Sequence, residues 1–321
     1  MAYIRSDRIN TVKIEELNRL VRTEPAALVC RGEERYDRLL SDVADALAGA
    51  LPAHKVIMLS GASNAGKTTS SLKLCALLAE RGVTSHTISL DNFFLPRERC
   101  PLDEQGKPDI ESPRALDAEL LRSSVESLIA GRETALPKYD FKTGRSIRGH
   151  STLTVGEHEI VLIEGIHALN DTLLMGLPQD RLCRIYLAVR TNYEGEGFTL
   201  PKREVRLLRR LVRDHKFRGA GPEATFGMWE GVCRGEERYI KPFAKHADII
   251  LDSSFYYEPA VLRDFALPLL ELIPAESEFY AAARQLREKL LPVESLPASL
   301  IPGSSLLREF IGGSQYYGRK K

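Results

Sequence analysis

The residues best suited to chemistry in this chain stand at 60–69, Ser-Gly-Ala-Ser-Asn-Ala-Gly-Lys-Thr-Thr. Gly61 and Gly66 bracket four residues and precede Lys67 and Thr68, which is the G-x-x-x-x-G-K-[ST] spacing of a phosphate-binding loop. Such a loop points backbone N–H groups at a phosphate, and the positive end of the following helix strengthens the attraction. Lys67 would reach the β and γ phosphates of ATP, and Thr68 would hold Mg²⁺. The predicted ATP-binding residues are Gly61, Ala62, Ser63, Asn64, Ala65, Gly66, Lys67, Thr68 and Thr69.

Two carboxylates follow apolar runs that are typical of buried strands. The segment 83–90 leads into Asp91, and the segment 159–163 leads into Glu164. Acids at the carboxyl ends of neighbouring parallel strands lie where open α/β sheets bind ligands. Asp91 is predicted to accept the proton of a substrate hydroxyl that attacks the γ-phosphate, and a helix-cap or turn role is the alternative. Glu164 is predicted to lie near Mg²⁺ and to bind it directly or through water.

A basic segment from Lys202 to Arg218 is the third chemical signal. Its leucines recur at helical spacing, and a set of arginines shares the opposite face. These arginines are Arg206, Arg209, Arg210 and Arg213. After a phosphate loop, such a helix is predicted to be a lid whose arginines clamp the phosphoryl group, and one such arginine can contribute about 10³ to 10⁵ in rate. The alternative is a solvated basic face or a nucleic-acid patch, which the near-zero net charge and single Trp disfavour.

These residues need strands and helices to position them. The run 56–59 is predicted to be the strand before the loop, and 72–78 the helix after it. Ser112-Pro113 is predicted to start another helix. The segment 135–155 alternates apolar and polar residues between turn signals, which predicts hairpins projecting from the sheet. Tyr139 and Phe141 share a face there and could stack on a flat base, although packing is the commoner role of paired aromatics.

The sequence is predicted to divide into one α/β domain with two extensions. Residues 1–54 form an N-terminal helical extension, 55–275 a P-loop kinase domain, and 276–321 a C-terminal helical extension and tail. In the last part, an apolar cluster is expected to anchor on the core or on another subunit. The cluster is Leu306, Leu307, Phe310 and Ile311. From Tyr316 onward the tail is expected to be disordered.

Bulk properties narrow the class of protein. A net charge of +1 over 321 residues disfavours bulk attraction to nucleic acid or membranes. The five cysteines show no C-x-x-C pairing, so neither a disulfide framework nor a zinc site is indicated. No run of 18 apolar residues occurs, and early charges interrupt any signal-peptide core. We therefore expect a cytoplasmic protein with a small-molecule substrate and no nucleic-acid or membrane partner.

In their order, the motifs of this chain resemble those of the uridine kinase and phosphoribulokinase family of P-loop kinases, and most closely the bacterial uridine-kinase-like nucleoside kinases. The resemblance covers about residues 55 to 315. It implies an α/β P-loop NTPase three-layer fold with a mostly parallel sheet, a projecting β-hairpin region and a helical lid. The motifs are the phosphate loop, 91–94, Ser112-Pro113 with Asp117, 137–141, 164–166, 209–214, 217–219, Met228-Trp229, 234–237, 247–250 and 305–313.

The resemblance also implies roles for individual residues. Asp91 would be the general base, with Lys67 and Arg218 as further catalytic residues, and Thr68 and Glu164 would hold Mg²⁺. Within the substrate site, Tyr139 and Phe141 would border a nucleoside base and Glu111 would lie near the ribose hydroxyls. The implied substrate-binding residues are Asp91, Phe94, Glu111, Tyr139, Phe141, Arg210 and Arg213. Related kinases form oligomers, so a homo-oligomer is an expectation as well.

Three positions depart from the uridine kinase pattern. Gly144 stands where a histidine is usual, Ala220 where a second arginine is usual, and Met228 where a glutamine is usual. A pocket without those hydrogen-bonding groups should not reject wrong bases strongly, because discrimination comes from polar groups that are left unpaired. The leading interpretation is therefore an ATP- and Mg²⁺-dependent kinase of a nucleoside such as uridine or cytidine. The alternatives are a kinase of a sugar phosphate or a pantothenate-like acid, and a nucleotide-binding regulator.

Overall fold

A five-stranded parallel sheet lies at the centre of the computed structural model, which describes residues 8–102, 106, 108–140 and 143–317. From one edge to the other, the strands are β10 (Ile249–Asp252), β7 (Leu182–Ala188), β2 (Val56–Gly61), β6 (Ile160–Glu164) and β3 (Ser85–Ser89). Every neighbouring pair is parallel. The strand before the phosphate loop is thus the middle strand, and β6 lies beside it on the way to β3.

Helices cover both faces of this sheet. They are α1 (Ile14–Thr23), α2 (Pro25–Gly49), α3 (Lys67–Glu80), α4 (Ala118–Ile129), α5 (Asp171–Leu174), α6 (Lys202–Arg218), α7 (Pro222–Tyr239), α8 (Glu258–Glu271), α9 (Tyr280–Leu290) and α10 (Arg308–Ile311). Alternate residues of β2 enter two separate cores: Ile57 and Leu59 one, Val56 and Met58 the other. Strands buried on both faces need continuous apolar runs, as the sequence has here. The predicted three-layer α/β fold is confirmed.

Two smaller sheets flank the central one. Strands β4 (Thr134–Asp140) and β5 (Arg145–Leu153) form the predicted antiparallel hairpin. The other small sheet joins β1 (Asn10–Lys13) in parallel to β8 (Thr191–Gly195), which pairs with β9 (Phe198–Leu200). The start of the described chain is thereby tied to the segment after β7.

One helix begins later than the sequence predicts. Ser112-Pro113 opens only a short 3-10 turn at Pro113–Ala115, and α4 begins at Ala118. The Asp117 carboxylate accepts a hydrogen bond from the Leu120 N–H at 3.0 Å and is therefore the N-cap of α4. Ser112 caps only the 3-10 turn, and Asp117, five residues later, caps the helix.

The terminal segments pack into the same core as the sheet. Val43 and Leu47 of α2, Leu290 of α9 and Phe310 of α10 are all fully buried with β2 residues in one apolar cluster. The C-terminal anchor thus lies on the core of this chain. Among the described residues, no helix is both long and apolar enough to cross a membrane.

Candidate active site

The phosphate loop connects β2 to α3 and has the backbone conformation that its glycines permit. Gly66 is the N-cap of α3 and has a φ of +90°, and Asn64 has a φ of +65°, which is rare for a residue other than glycine. Gly61 passes so close to β7 that a Cβ there would lie 2.3 Å from the Leu187 carbonyl oxygen. These constraints turn the backbone toward the start of α3, where unpaired N–H groups attract anions.

Lys67 and Thr68 occupy the first turn of α3. The Lys67 ammonium donates to the carbonyl oxygens of Gly61 and Ala62 at 3.0 and 3.2 Å, so it folds back over the loop. Burial lowers the pKa of Lys67, while the nearby carboxylates of Glu164 and Asp91 oppose that shift. Thr68 is exposed. The lysine is thus placed over the phosphate loop, and the threonine hydroxyl is open to a bound ion.

Helix α6 holds the apex of the loop from outside. The guanidinium groups of Arg206 and Arg209 donate to the carbonyl oxygens of Ser63 and Asn64 at 3.1 and 3.2 Å, and the Asn64 amide donates to the Arg206 carbonyl oxygen at 3.3 Å. Asn64 keeps its left-handed conformation with the help of these three bonds.

These contacts correct the prediction for two of the four lid arginines. Arg209 is completely buried and forms an ion pair with Glu258 at 2.6 Å, and Arg206 is paired with Glu236 of α7. Both guanidinium groups are held by these acids and by the loop carbonyl oxygens, so the two residues support the loop instead of clamping a substrate. The helical period correctly groups the arginines on one side of α6, but that side meets the loop and the core.

The other arginines gather around one buried acid. Asp214 is 1% exposed and forms ion pairs with Arg210 at 3.2 Å, Arg213 at 2.7 Å and Arg218 at 3.5 Å. Arg210 also donates to the Ser63 hydroxyl at 3.3 Å. Burial lowers the pKa of Arg210 and of Arg218, with repulsion from Arg213 adding to the shift at Arg218. Asp214 is therefore the residue that positions this arginine group beside the loop.

The two predicted acids lie on neighbouring strands. Ser89 pairs with Glu164 across β3 and β6, and Asp91 follows two residues after Ser89. Burial raises the pKa of the Glu164 carboxyl, and the Lys67 charge opposes that rise. The Thr68 hydroxyl and Glu164 carboxylate are hard oxygen donors, which are the ligands that Mg²⁺ prefers. These residues fit an Mg²⁺ ion that also binds substrate phosphates.

Asp91 is exposed in the short 3-10 turn that directly follows β3. Desolvation by the surrounding protein raises the pKa of its carboxyl, while the positive charges of Lys67 and Arg218 oppose the rise. Asp91 thus combines access to a substrate with an electrostatic link to the loop and to α6. A carboxylate in such a position can accept a proton from a substrate hydroxyl.

Glu111 lies in the same electrostatic group. Burial raises the pKa of its carboxyl to about 7, opposed by Arg210 and Lys67 and supported by Asp91. Helix α7 approaches it through Gly235, where a Cβ would lie 2.9 Å from the Glu111 Cβ. The glycine in the Arg-Gly-Glu-Glu motif thus makes room for Glu111, and the following Glu236 pairs with Arg206.

The aromatic residues are placed only in part. The rings of Phe94 and Tyr139 pack against each other with centroids 5.5 Å apart, and Tyr139 is 9% exposed. Phe141 lies outside the described residues. Tyr139 therefore packs mainly against protein, which is the commoner role of paired aromatic residues.

The positions that depart from the family pattern have identifiable neighbours. Gly144 has a φ of +69°, and a Cβ there would lie 3.0 Å from the Arg97 Nε. Arg97 is exposed and hydrogen-bonds the Tyr139 side chain. The Met228 sulfur lies 3.9 Å from the Arg210 guanidinium. Arginine side chains thus lie beside Gly144 and Met228, the positions where a histidine and a glutamine are usual.

Two residues at the loop were not found by sequence reasoning. The Glu309 carboxylate accepts hydrogen bonds from the Thr69 hydroxyl at 2.6 Å and from the Thr69 N–H at 3.3 Å. The Tyr317 hydroxyl lies 3.1 Å from the Thr69 hydroxyl, so this part of the expected disordered tail is placed at the loop. The sequence offers the 305–313 motif as a signal for Glu309, but the motif does not indicate which part of the fold the glutamate contacts.

The chain is similar to several known kinases. The model of the family described as "Phosphoribulokinase / Uridine kinase family" matches residues 56–255. A uridine kinase of Halobacterium salinarum is 28% identical over 61% of this chain and 78% of its own length. A uridine kinase of Deinococcus deserti is 29% identical over 64% and 91%. A solved D-glycerate 3-kinase from Cryptococcus neoformans aligns over 70% of this chain and 89% of its own, with 14% identity and a TM-score of 0.44.

Proposed function

Because the chain belongs to the phosphoribulokinase/uridine kinase family and is therefore a phosphotransferase, we propose that it transfers the γ-phosphate of ATP to an alcohol of a small molecule with Mg²⁺ as cofactor. The observation that carries this proposal is that the Lys67 loop, Glu164 and Asp91 follow or end the neighbouring parallel strands β2, β6 and β3, with the Lys67 charge acting on both carboxyls. Phosphoryl transfer depends on positioning and charge stabilisation, which such a group supplies.

Each residue has a distinct task in this mechanism. ATP and Mg²⁺ supply the phosphoryl group and part of the positive charge. Asp91 accepts the proton from the acceptor hydroxyl, and its raised pKa makes it a stronger base. Lys67 binds phosphate oxygens above the loop. Arg210, Arg213 and Arg218, oriented by Asp214, stabilise the negative charge of the phosphoryl group during transfer.

A nucleoside of the uridine or cytidine type is the proposed acceptor, with its 5′-monophosphate as product. Support comes from the uridine kinases among the relatives and from Glu111, whose carboxylate can accept hydrogen bonds from sugar hydroxyls. A carboxylate that titrates near pH 7 makes acceptor binding dependent on pH in the physiological range.

Arg97 favours a second candidate acceptor. Its exposed guanidinium occupies the space beside Gly144 and contacts Tyr139. Arginine recognises phosphate and carboxylate oxygens through paired N–H groups. A sugar phosphate or a pantothenate-like acid carries such anionic oxygens, whereas an uncharged base offers only carbonyl oxygens.

The test is phosphate transfer from ATP and Mg²⁺ to a panel of nucleosides, sugar phosphates and pantothenate, with products identified by mass. Wild type and the Asp91→Asn variant are compared. A nucleoside monophosphate formed by wild type alone supports the leading proposal, and an anionic product supports the second. ATP binding without any product would indicate a nucleotide-binding regulator. A cytoplasmic location and a homo-oligomer complete the proposal, and fractionation and light scattering test them.

A further inference from the structure

Glu309 of α10 places a carboxylate on the first turn of α3. One of its oxygens accepts both from the Thr69 hydroxyl at 2.6 Å and from the Thr69 N–H at 3.3 Å. Glu309 and Thr69 are 240 residues apart in the sequence, so this is a tertiary contact and not a local cap. The Tyr317 hydroxyl contacts the Thr69 hydroxyl at 3.1 Å and donates to Glu309 at 3.4 Å.

The same two donors belong to the predicted phosphate site. Helix α3 begins at Lys67, so the Thr69 N–H has no partner within the helix. In a phosphate loop, backbone N–H groups of this turn point at the α and β phosphates of the nucleotide. A carboxylate oxygen and a phosphate oxygen cannot occupy the same place, and two negative charges there would repel each other.

The backbone that carries Glu309 is firmly held. Leu306, Leu307 and Phe310 are completely buried, and Ile311 is 2% exposed. Leu306 packs directly on the loop, since a Cβ at Gly66 would lie 2.5 Å from its Cδ1. Phe310 lies under the Arg209 guanidinium at 5.2 Å. Glu309 itself is half-buried, so its side chain can turn while the helix stays in place.

We propose that Glu309 is a residue of the nucleotide site, whose carboxylate holds the Thr69 donors and must turn away when a nucleotide phosphate takes them. This rests on the ATP site of the proposed function. The carboxylate keeps the first turn of α3 satisfied without nucleotide, and it weakens ATP binding because its charge lies close to the incoming phosphates. Its electrostatic interactions with Lys67 and Glu164 place that charge within the catalytic group.

The test is Glu309→Gln, which keeps the size and an accepting oxygen but removes the charge. ATP binding is measured by calorimetry, and urea unfolding is followed without nucleotide. We expect the dissociation constant for ATP to fall about tenfold and the urea midpoint of the nucleotide-free protein to fall as well. The gain in affinity should shrink at high salt, because exposed charges are screened. Glu276→Gln, an exposed acid in the same terminal region, is the matched control and should change neither value.

A purely structural cap would behave differently. Its loss would lower stability and leave ATP affinity unchanged or reduced, and either result for Glu309→Gln overturns the proposal. Tyr317→Phe serves as a second variant, because it removes the hydroxyl that donates to Glu309; it should strengthen ATP binding about twofold to threefold. Failure of wild type to bind ATP would refute the proposed function instead, so the two failures are distinguishable.

Discussion

Asp91 and Glu111 both lie near positively charged residues, but they differ in exposure and in their proposed roles. Both carboxyls have a raised pKa because protein surrounds them, and Lys67 opposes the rise in each case. Asp91 is exposed, whereas Glu111 is half-buried against Gly235 of α7. The accessible acid suits proton transfer, and the enclosed one suits a fixed hydrogen bond to the acceptor.

Replacing Asp91 by Asn should separate chemistry from binding. The amide keeps the size but loses basicity, so turnover should fall about 10²-fold or more while ATP still binds. Steady-state kinetics and calorimetry measure the two quantities. Asp180→Asn is the control, because Asp180 is exposed just before β7, at the amino end of the parallel strands and thus opposite the carboxyl ends where Asp91 lies. Weakened ATP binding with unchanged turnover would assign Asp91 to structure or metal binding.

Glu111 should make stability depend on pH. Its folded-state pKa of about 7 exceeds the usual 4.5, so the folded protein favours the protonated form and loses stability as pH rises from about 4.5 to about 7. Glu111→Gln removes that loss. The variant should match wild type near pH 4 and exceed it by up to about 3 kcal/mol above pH 7, as measured by urea unfolding. The exposed Glu133→Gln should show no such difference, and a constant difference at every pH would contradict the assignment.

Helix α6 acts as the support of the phosphate loop. Arg206 and Arg209 bind the carbonyl oxygens at its apex, while Leu208 and Leu211 of the same helix are completely buried in the core. The loop is therefore held by a packed helix, which suits a site that must keep its geometry before substrate arrives. The Asp214 group at the end of α6 adds three further arginines, Arg210, Arg213 and Arg218.

The support can be separated from stability with two variants. Arg209→Met leaves Glu258 buried without its partner and should lower the free energy of unfolding by about 3 to 5 kcal/mol. The double variant Arg209→Met with Glu258→Gln removes both charges and keeps the oxygen that accepts from the Phe255 N–H, so most of that stability should return. ATP affinity should stay reduced in both, because the Asn64 carbonyl has lost its donor.

Urea unfolding and calorimetry on the same samples decide this. Recovery of ATP affinity together with stability in the double variant would mean that Arg209 only stabilises the fold. A reduced affinity in the stable double variant would establish Arg209 as a positioning residue for the loop.

At the scale of the whole molecule, helix α2 and the C-terminal segment both pack against α3, the helix that follows the phosphate loop. The Tyr36 hydroxyl of α2 lies 2.5 Å from the Ser70 hydroxyl of α3, and the buried Glu33 accepts from Ser305 at 2.6 Å. Lys73 of α3 donates to the Ser304 carbonyl oxygen at 3.2 Å. Helix α2, helix α3 and the C-terminal segment are thus joined by side-chain hydrogen bonds. A substitution that destabilises one of them should therefore destabilise the other two.

Gly66→Ala tests this coupling. The new methyl group would meet Leu306 and would sit at a φ of +90°, which disfavours any side chain. We expect a loss of at least about 2 kcal/mol of stability together with loss of ATP binding, measured by urea unfolding and calorimetry. Gly49→Ala has open space around it and should be neutral or stabilise by up to about 1 kcal/mol. A Gly66→Ala protein as stable as wild type would show that the contact with Leu306 is not tight.

The sequence by itself determined the features that depend on local spacing. Two glycines that bracket four residues, a following lysine and threonine, and apolar runs before Asp91 and Glu164 dictate backbone turns and buried strands without reference to distant residues. The helix before the loop, the hairpin and the arginine face of α6 follow from periodicity in the same way. The strand order then places Asp91 and Glu164 together at the carboxyl ends of β3 and β6, as expected for neighbouring parallel strands.

Only the tertiary structure decided which residues the polar side chains of each helix contact. Periodicity places Arg206 and Arg209 on one side of α6, but only packing shows that this side meets the loop and Glu258, 49 residues beyond Arg209. The approach of Glu309 to Thr69 spans 240 residues, and no local spacing encodes it. Such contacts arise because separate helices bury their apolar faces in a common core, which fixes the polar groups beside them.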